Sequence, residues 1–182
     1  NNLQIVELIK LSMKINYEKL FLNFKIDEKK LKINSSTKLP FYWTYVKLTD
    51  YIDLIKGIEP GASNYEDIKN DNNVPFLRVG DLSSRSSNIF INKELTQNKI
   101  AYPDDILLSL DGSPGELKFG LFGAYSSGIR KAVSKNNKIS KAFIYNILNS
   151  QFIQKLIDAY ASGTTILHAG SAVKKMKFIL PT

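Results

Sequence analysis

Over residues 3–24 the apolar side chains Ile5, Leu8, Ile9, Met13, Leu20 and Phe24 recur at roughly helical spacing, with neither Gly nor Pro among them. That pattern predicts a helix, with Asn16 as its weak point. Residues 25–38 turn charged and polar, and Asn34-Ser35-Ser36-Thr37 ahead of Pro40 reads as a linker. The predicted division is therefore a helical connector over residues 1–38 and a compact domain over 39–182.

Beyond Phe41 the repeat shortens. Residues 43–48 alternate as a strand does, 51–55 have the spacing of a helical turn, and Gly57 with Pro60-Gly61 closes the unit. Residues 74–79 form another short strand. The apolar run 106–110 ends in Asp111-Gly112-Ser113-Pro114-Gly115, a turn whose two glycines supply positive φ and let another backbone come close. Residues 117–125, with Gly120 and Gly123, predict a curved, glycine-punctuated strand pair. Ser140 is positioned to cap a helix running to Ala161, with Phe143, Ile147, Phe152, Leu156 and Ile157 on one face and Gly163 past its end. Residues 173–180 mix bases with apolar side chains and stop at Pro181. Short strands with helical segments predict an α+β fold, a compact mixed domain with a curved, mainly antiparallel sheet and flanking helices. Nothing repeats internally.

Charge sharpens this outline. The 182 residues hold 25 Lys and Arg against 17 Asp and Glu, a formal net charge of +8. Residues 1–40 are net +4 and residues 41–129 net −4, whereas residues 130–182 carry nine bases and one acid. A field of that sign favours a polyanionic partner, nucleic acid first, although a solvated basic surface has the same composition. With no cysteine, disulfides, zinc knuckles and thiol nucleophiles are excluded, and the lone histidine, His168, disfavours a His-based metal site. The longest apolar stretches fall far short of the roughly 20 residues that a membrane-spanning helix needs. The start, Asn1-Asn2-Leu3, has neither an initiator methionine nor a signal-peptide pattern and reads as a point within a longer polypeptide.

Catalytic signatures are mostly missing. The six prolines are never adjacent, so the Asn/Asp-Pro-Pro-aromatic loop of amino-methyltransferases is absent, and no Gly-x-Gly-x-x-Gly occurs. Gly115 and Gly120 have P-loop spacing, but Leu121-Phe122 stands where Lys and Ser/Thr would meet phosphate and Mg²⁺. One literal match survives. Pro103-Asp104 followed by Glu116-Leu117-Lys118 spells the PD…ExK pattern of metal-dependent nucleases, in which the two carboxylates hold the cation and the lysine orients the nucleophile. This nuclease is the alternative function. Against it, the pattern is short and its halves flank an apolar strand and a glycine turn.

Several segments in order resemble a known family. Leu39-Pro40-x-x-Trp43-x-x-x-Lys47-Leu48, Gly57-Ile58-Glu59-Pro60 and Val74-Pro75-Phe76-Leu77-Arg78-Val79-Gly80-Asp81-Leu82 come first. Asp105-Ile106-Leu107-Leu108-Ser109 with the Asp111 to Gly115 turn follows, then Ser162-Gly163-Thr164-Thr165-Ile166-x-His168 and Met176-Lys177-Phe178-Ile179-Leu180-Pro181. Together they are similar to the target recognition domain of type I restriction-modification specificity subunits, found also in related fused methyltransferases.

The resemblance implies a non-catalytic, cytoplasmic module that reads one half of a bipartite double-stranded DNA target. It directs an adenine-N6 methyltransferase subunit, which carries AdoMet, and through the complex a restriction subunit, as part of a defence system. It makes residues 1–38 a connector, or the end of a fused methyltransferase, and places a long partner-packing helix after Pro181. On the matched segments the candidate base readers are Arg78 and Asp81, Ser113 and Lys118, and Thr164, Thr165 and His168, with Arg85 as an alternative. Lys174, Lys175 and Lys177 suit phosphate contacts. Each has a plainer reading. Arg78 pairs with an acid such as Asp81, the threonines form a helix-end turn, His168 is structural, and Asp111 to Gly115 is only a tight turn. Trp43 and most tyrosines read as core or rim, with Tyr102 or Tyr125 stacking on a base or bracing a phosphate.

Overall fold

The computed structural model describes residues 43–84, 87–135 and 139–181. The helix expected over residues 3–24, the linker and Arg85 lie outside the described residues. In chain order come strand β1 (Trp43–Lys47), helical turn α1 (Leu48–Tyr51), β2 (Ile52–Lys56), β3 (Asn73–Leu77), α2 (Val79–Ser84), β4 (Phe90–Asn92) and β5 (Ile100–Ala101). These lead to β6 (Ile106–Ser109), β7 (Asp111–Gly112), β8 (Leu117–Lys118), β9 (Gly123–Tyr125) and β10 (Ile129–Ser134). Helices α3 (Lys141–Leu148) and α4 (Gln151–Tyr160), then β11 (Leu167–His168) and β12 (Lys177–Pro181), complete the described chain.

The expected α+β class holds, and its strands fall into several small sheets. One has the order β2-β10-β6-β8 and is antiparallel throughout. A second has the order β4-β3-β9-β5, in which β3 and β9 run parallel. Two-stranded ribbons join β1 to β12 and β7 to β11.

Strand β6 explains where the core sits. Alternate side chains of a strand point to opposite faces. Ile106, Leu108 and Leu110 pack with Ile144, Ile147, Leu148, Ile153 and Ile157 of α3 and α4. Leu107 points the other way, into a cluster with Leu77, Leu82, Leu121, Tyr125 and Ile129. A strand covered on both faces needs an unbroken apolar run, which is what residues 106–110 provide.

Three local expectations change. The helical turn falls on Leu48–Tyr51, while Ile52–Lys56 is a strand whose Ile52 to Lys56 pair with Ser134 to Arg130 of β10. Spacing over so few residues fits either state, and the cross-strand ladder decides. The expected helix over 140–161 divides. Ser140 accepts from Phe143 N as foreseen, but Ser150 accepts from Ile153 N and caps a second helix. The break rotates the inward face, so Ile144, Leu148 and Ile153 are buried and Phe152 is 60% exposed. Finally, β8 pairs with β6 and β9 with β3 and β5, so residues 117–125 cross between two sheets instead of pairing with each other.

Candidate nucleic-acid interface

The segment carrying Arg78 is shaped by Asp81. Its carboxylate Oδ2 accepts a 2.8 Å hydrogen bond from Arg78 N, reaching back from the first turn of α2 as the third residue of a capping box does. Asp81 is 9% exposed and so faces its own loop's backbone. The guanidinium also pairs with it, Nε to Oδ2 at 3.6 Å, yet the Arg78 side chain remains 49% exposed. The pairing foreseen as the plainer reading thus exists, and it leaves the outer edge of the guanidinium free.

Val79 then docks this segment onto the Asp111 turn. A Cβ on Gly112 would lie 3.6 Å from Val79 Cγ1, and one on Gly128 only 2.7 Å from Val79 Cγ2. Gly112 and Gly115 have φ of 78° and 97°, the left-handed values expected of this turn. Buried Ser109 ties the two sides together. Its hydroxyl donates to the Ser113 carbonyl and accepts from Glu116 N at 2.9 Å, while Gly115 N donates to Ser109 O at 2.9 Å. The Ser113 side chain itself is exposed.

The third segment arrives through β11. His168 stands opposite Asp111 and Leu167 opposite Gly112 in the β7–β11 ribbon. The imidazole Nδ1 is 2.8 Å from Asp111 Oδ1, and Arg130 Nη2 lies 3.4 Å from Asp111 Oδ2. His168 and Ser162 exchange backbone hydrogen bonds of 2.8 and 3.1 Å, so Thr164, Thr165 and Ile166 form an exposed tip between anchored ends. Sequence reasoning missed Arg130 and gave Asp111 no role beyond opening the turn. The signal for both was weak, an acid at the head of the turn and the first base of the basic third.

The remaining described candidates are lysines. Lys118 sits on β8 opposite Leu107, with its ammonium 3.7 Å from Glu116. Lys174 and Lys175 belong to a 3-10 segment, Gly170–Lys175, that leads away from the turn. Ala169 N bonds Leu110 O just before it, and Met176 O accepts from Leu48 N just after it. Six residues of 3-10 helix rise about 12 Å. Lys177 follows, opposite Lys47 in the β1–β12 ribbon, and all three lysines are exposed.

The nuclease pattern is pulled apart. Asp104 lies two residues ahead of β6, whereas Glu116 lies level with Ser109, the last residue of that strand. Strand β6, about 10 Å from Ile106 to Ser109, lies between them, so the two carboxylates are placed toward its opposite ends. Asp104 pairs with Lys141, whose hydrogen bond holds its carboxyl below the usual range. Tyr125 is fully buried and cannot stack on a base. Among the described residues its hydroxyl has no hydrogen-bond partner, and burial pushes the phenol up to about 12, with the Asp105 charge adding and Arg130 opposing. Tyr102 is exposed and leans on Phe122, ring centroids 5.9 Å apart.

Residues 40–182 match the family model described as the type I restriction modification DNA specificity domain. The chain belongs to this family. The specificity domain is 28% identical over 159 residues to the type I restriction enzyme MjaVIII specificity subunit of Methanocaldococcus jannaschii, covering 85% of this chain and 36% of that protein. Its fold is like that of the type I restriction-modification S subunit from M. genitalium, with a TM-score of 0.54 and 21% identity over 83% of this chain and 36% of the other. The HsdS subunit from Thermoanaerobacter tengcongensis gives a TM-score of 0.60 at 17% identity, covering 98% of this chain and 42% of that one. The specificity domain therefore spans about two fifths of the length of these relatives. Among the described residues no helix is long and apolar enough to cross a membrane.

Proposed function

We propose that this chain reads one half of a bipartite duplex DNA target for a type I restriction-modification complex and makes or breaks no covalent bond itself. The supporting observation is convergence. Val79 packs between Gly112 and Gly128, and Asp111 holds His168, so the Arg78 segment, the Ser113 turn and the Thr164–Thr165 tip meet on one scaffold. Preorganised side chains of this kind suit base edges, because the major groove presents fixed donors and acceptors. Arg78 fits the paired acceptors of guanine, while Ser113, Thr164 and Thr165 offer hydroxyls to bases or phosphates. Arg85, four residues past Asp81, is a further candidate reader. Lys118, Lys174, Lys175 and Lys177 are proposed to neutralise phosphates and so set affinity and register.

In this reading residues 1–38 form the connector to the rest of a longer protein, and the complex works in the cytoplasm. The methyltransferase partner carries AdoMet and turns an adenine out of the stack, and a restriction subunit joins through the same assembly. The test is selection from randomised duplexes by the assembled complex, followed by mapping of the methylated adenine. The expected result is a defined half-site, and Arg78→Ala relaxes one position of it. Selection of no sequence, or Mg²⁺-dependent cleavage by this chain that Asp104→Ala abolishes, would contradict the proposal.

A further inference from the structure

We propose that Asp111 fixes the tautomer of His168 so that its free Nε2 is a hydrogen-bond acceptor, one that reads an exocyclic amine of a base in the major groove. The inference rests on the DNA-reading function above and assigns one of its readers a chemical preference.

The argument begins with the carboxylate. An ionised aspartate only accepts hydrogen bonds. Asp111 is engaged on both oxygens, by Arg130 Nη2 at Oδ2 and by His168 Nδ1 at Oδ1, 3.4 and 2.8 Å away. Nδ1 must therefore carry a proton. In a neutral imidazole one nitrogen donates and the other accepts, so the lone pair is left on Nε2. The side chain is 63% exposed, and among the described residues no hydrogen bond engages Nε2.

The backbone under the ring is fixed as well. His168 N donates to Ser162 O at 2.8 Å, Ser162 N to His168 O at 3.1 Å, and Ala169 N to Leu110 O at 2.7 Å. An acceptor held this way selects by what it lacks. Adenine N6 and cytosine N4 are the amine donors of the major groove, whereas guanine O6 and N7 and thymine O4 are acceptors that would face a lone pair. A phosphate offers no donor either, so neutral His168 is unsuited to the task given to Lys174 and Lys175.

The histidine is the only one in the 182 residues, so its two ring nitrogens can be followed in the full chain by ¹⁵N NMR. The expected neutral form has a protonated Nδ1 and a bare Nε2. Asp111→Asn should move the proton, because Arg130 keeps the amide oxygen and turns the amide N–H toward Nδ1. In the assembled complex, His168→Ala should relax one position at which the wild type takes adenine or cytosine. Removing that base's exocyclic amine should weaken the wild type about tenfold or more and His168→Ala less than about twofold. A proton on Nε2 of the wild type at the pH of the binding measurement, whether in the other tautomer or in the charged ring, would overturn the assignment, and so would His168→Ala weakening all sequences alike or relaxing only guanine or thymine. In each of these cases a wild type that still selects a half-site keeps the DNA-reading function. Loss of all selectivity by the wild type would overturn both.

Discussion

A Cβ on Gly128 would stand 2.7 Å from Cγ2 of Val79. Through this contact the start of α2 is seated beside the Asp111 turn, since the same added atom would also lie 3.5 Å from Asp111 O. Gly128→Ala should push Val79 outward and cost about 1–3 kcal/mol by overpacking, read from urea unfolding. Sequence discrimination should fall more than binding to unrelated DNA. The double variant Val79→Ala, Gly128→Ala should recover most of both losses. Absence of recovery would show that the two residues do not act on each other.

Arg78 and Asp81 should separate into reader and holder. Arg78→Ala is expected to cost about 1–3 kcal/mol at one base pair and little elsewhere. Asp81→Ala leaves Arg78 N without its acceptor and should cost about 0.5–2 kcal/mol of folding stability, as loss of a helix-end hydrogen bond does. Relaxation by Asp81→Ala at a base pair that Arg78→Ala leaves intact would make Asp81 a reader in its own right.

The exposed lysines should act without regard to sequence. Lys175→Ala is expected to weaken target and non-target duplexes by the same factor. The slope of log affinity against log salt should fall by about 0.9 for one lost phosphate contact. Affinity changed on one sequence alone would contradict this role.

Tyr125 gives a pH signature. Its phenol is raised from 10 to about 12, so the folded chain holds a proton that the unfolded chain releases. Stability present below pH 10 should accordingly be lost as pH rises from about 10 through 12. Tyr125→Phe removes the titrating group together with a buried hydroxyl that finds no partner among the described residues. It should flatten that descent and be neutral or stabilising by up to about 1 kcal/mol at neutral pH, read from thermal melts.

What could be read from the chain beforehand follows from how local each signal is. The Asp111 to Gly115 turn and the Ser140 cap were legible, because positive φ and N-terminal hydrogen bonds are satisfied within a few residues. The unbroken run at 106–110 announced a buried strand, though which neighbours cover each face depends on packing. Residues 52–56 misled because pairing with β10, some eighty positions away, outweighed their spacing. The Ser150 cap was in plain view, yet a continuous apolar face across residues 140–161 hid the break. Arg78, Ser113 and the Thr164 tip came from matched segments, and nothing in their spacing announced that Val79 packs on Gly112 or that His168 pairs with Asp111. The Asp111–Arg130–His168 contacts span up to 57 positions and carry no local signature at all.

The most direct measurement replaces residues 39–182, within the assembled complex, with the corresponding segment of a relative of different specificity, and maps the methylated adenines in genomic DNA. The expected result is a new sequence in one half of the bipartite motif, with the other half unchanged. A modified motif identical to the original in both halves would contradict the claim that this scaffold chooses the bases.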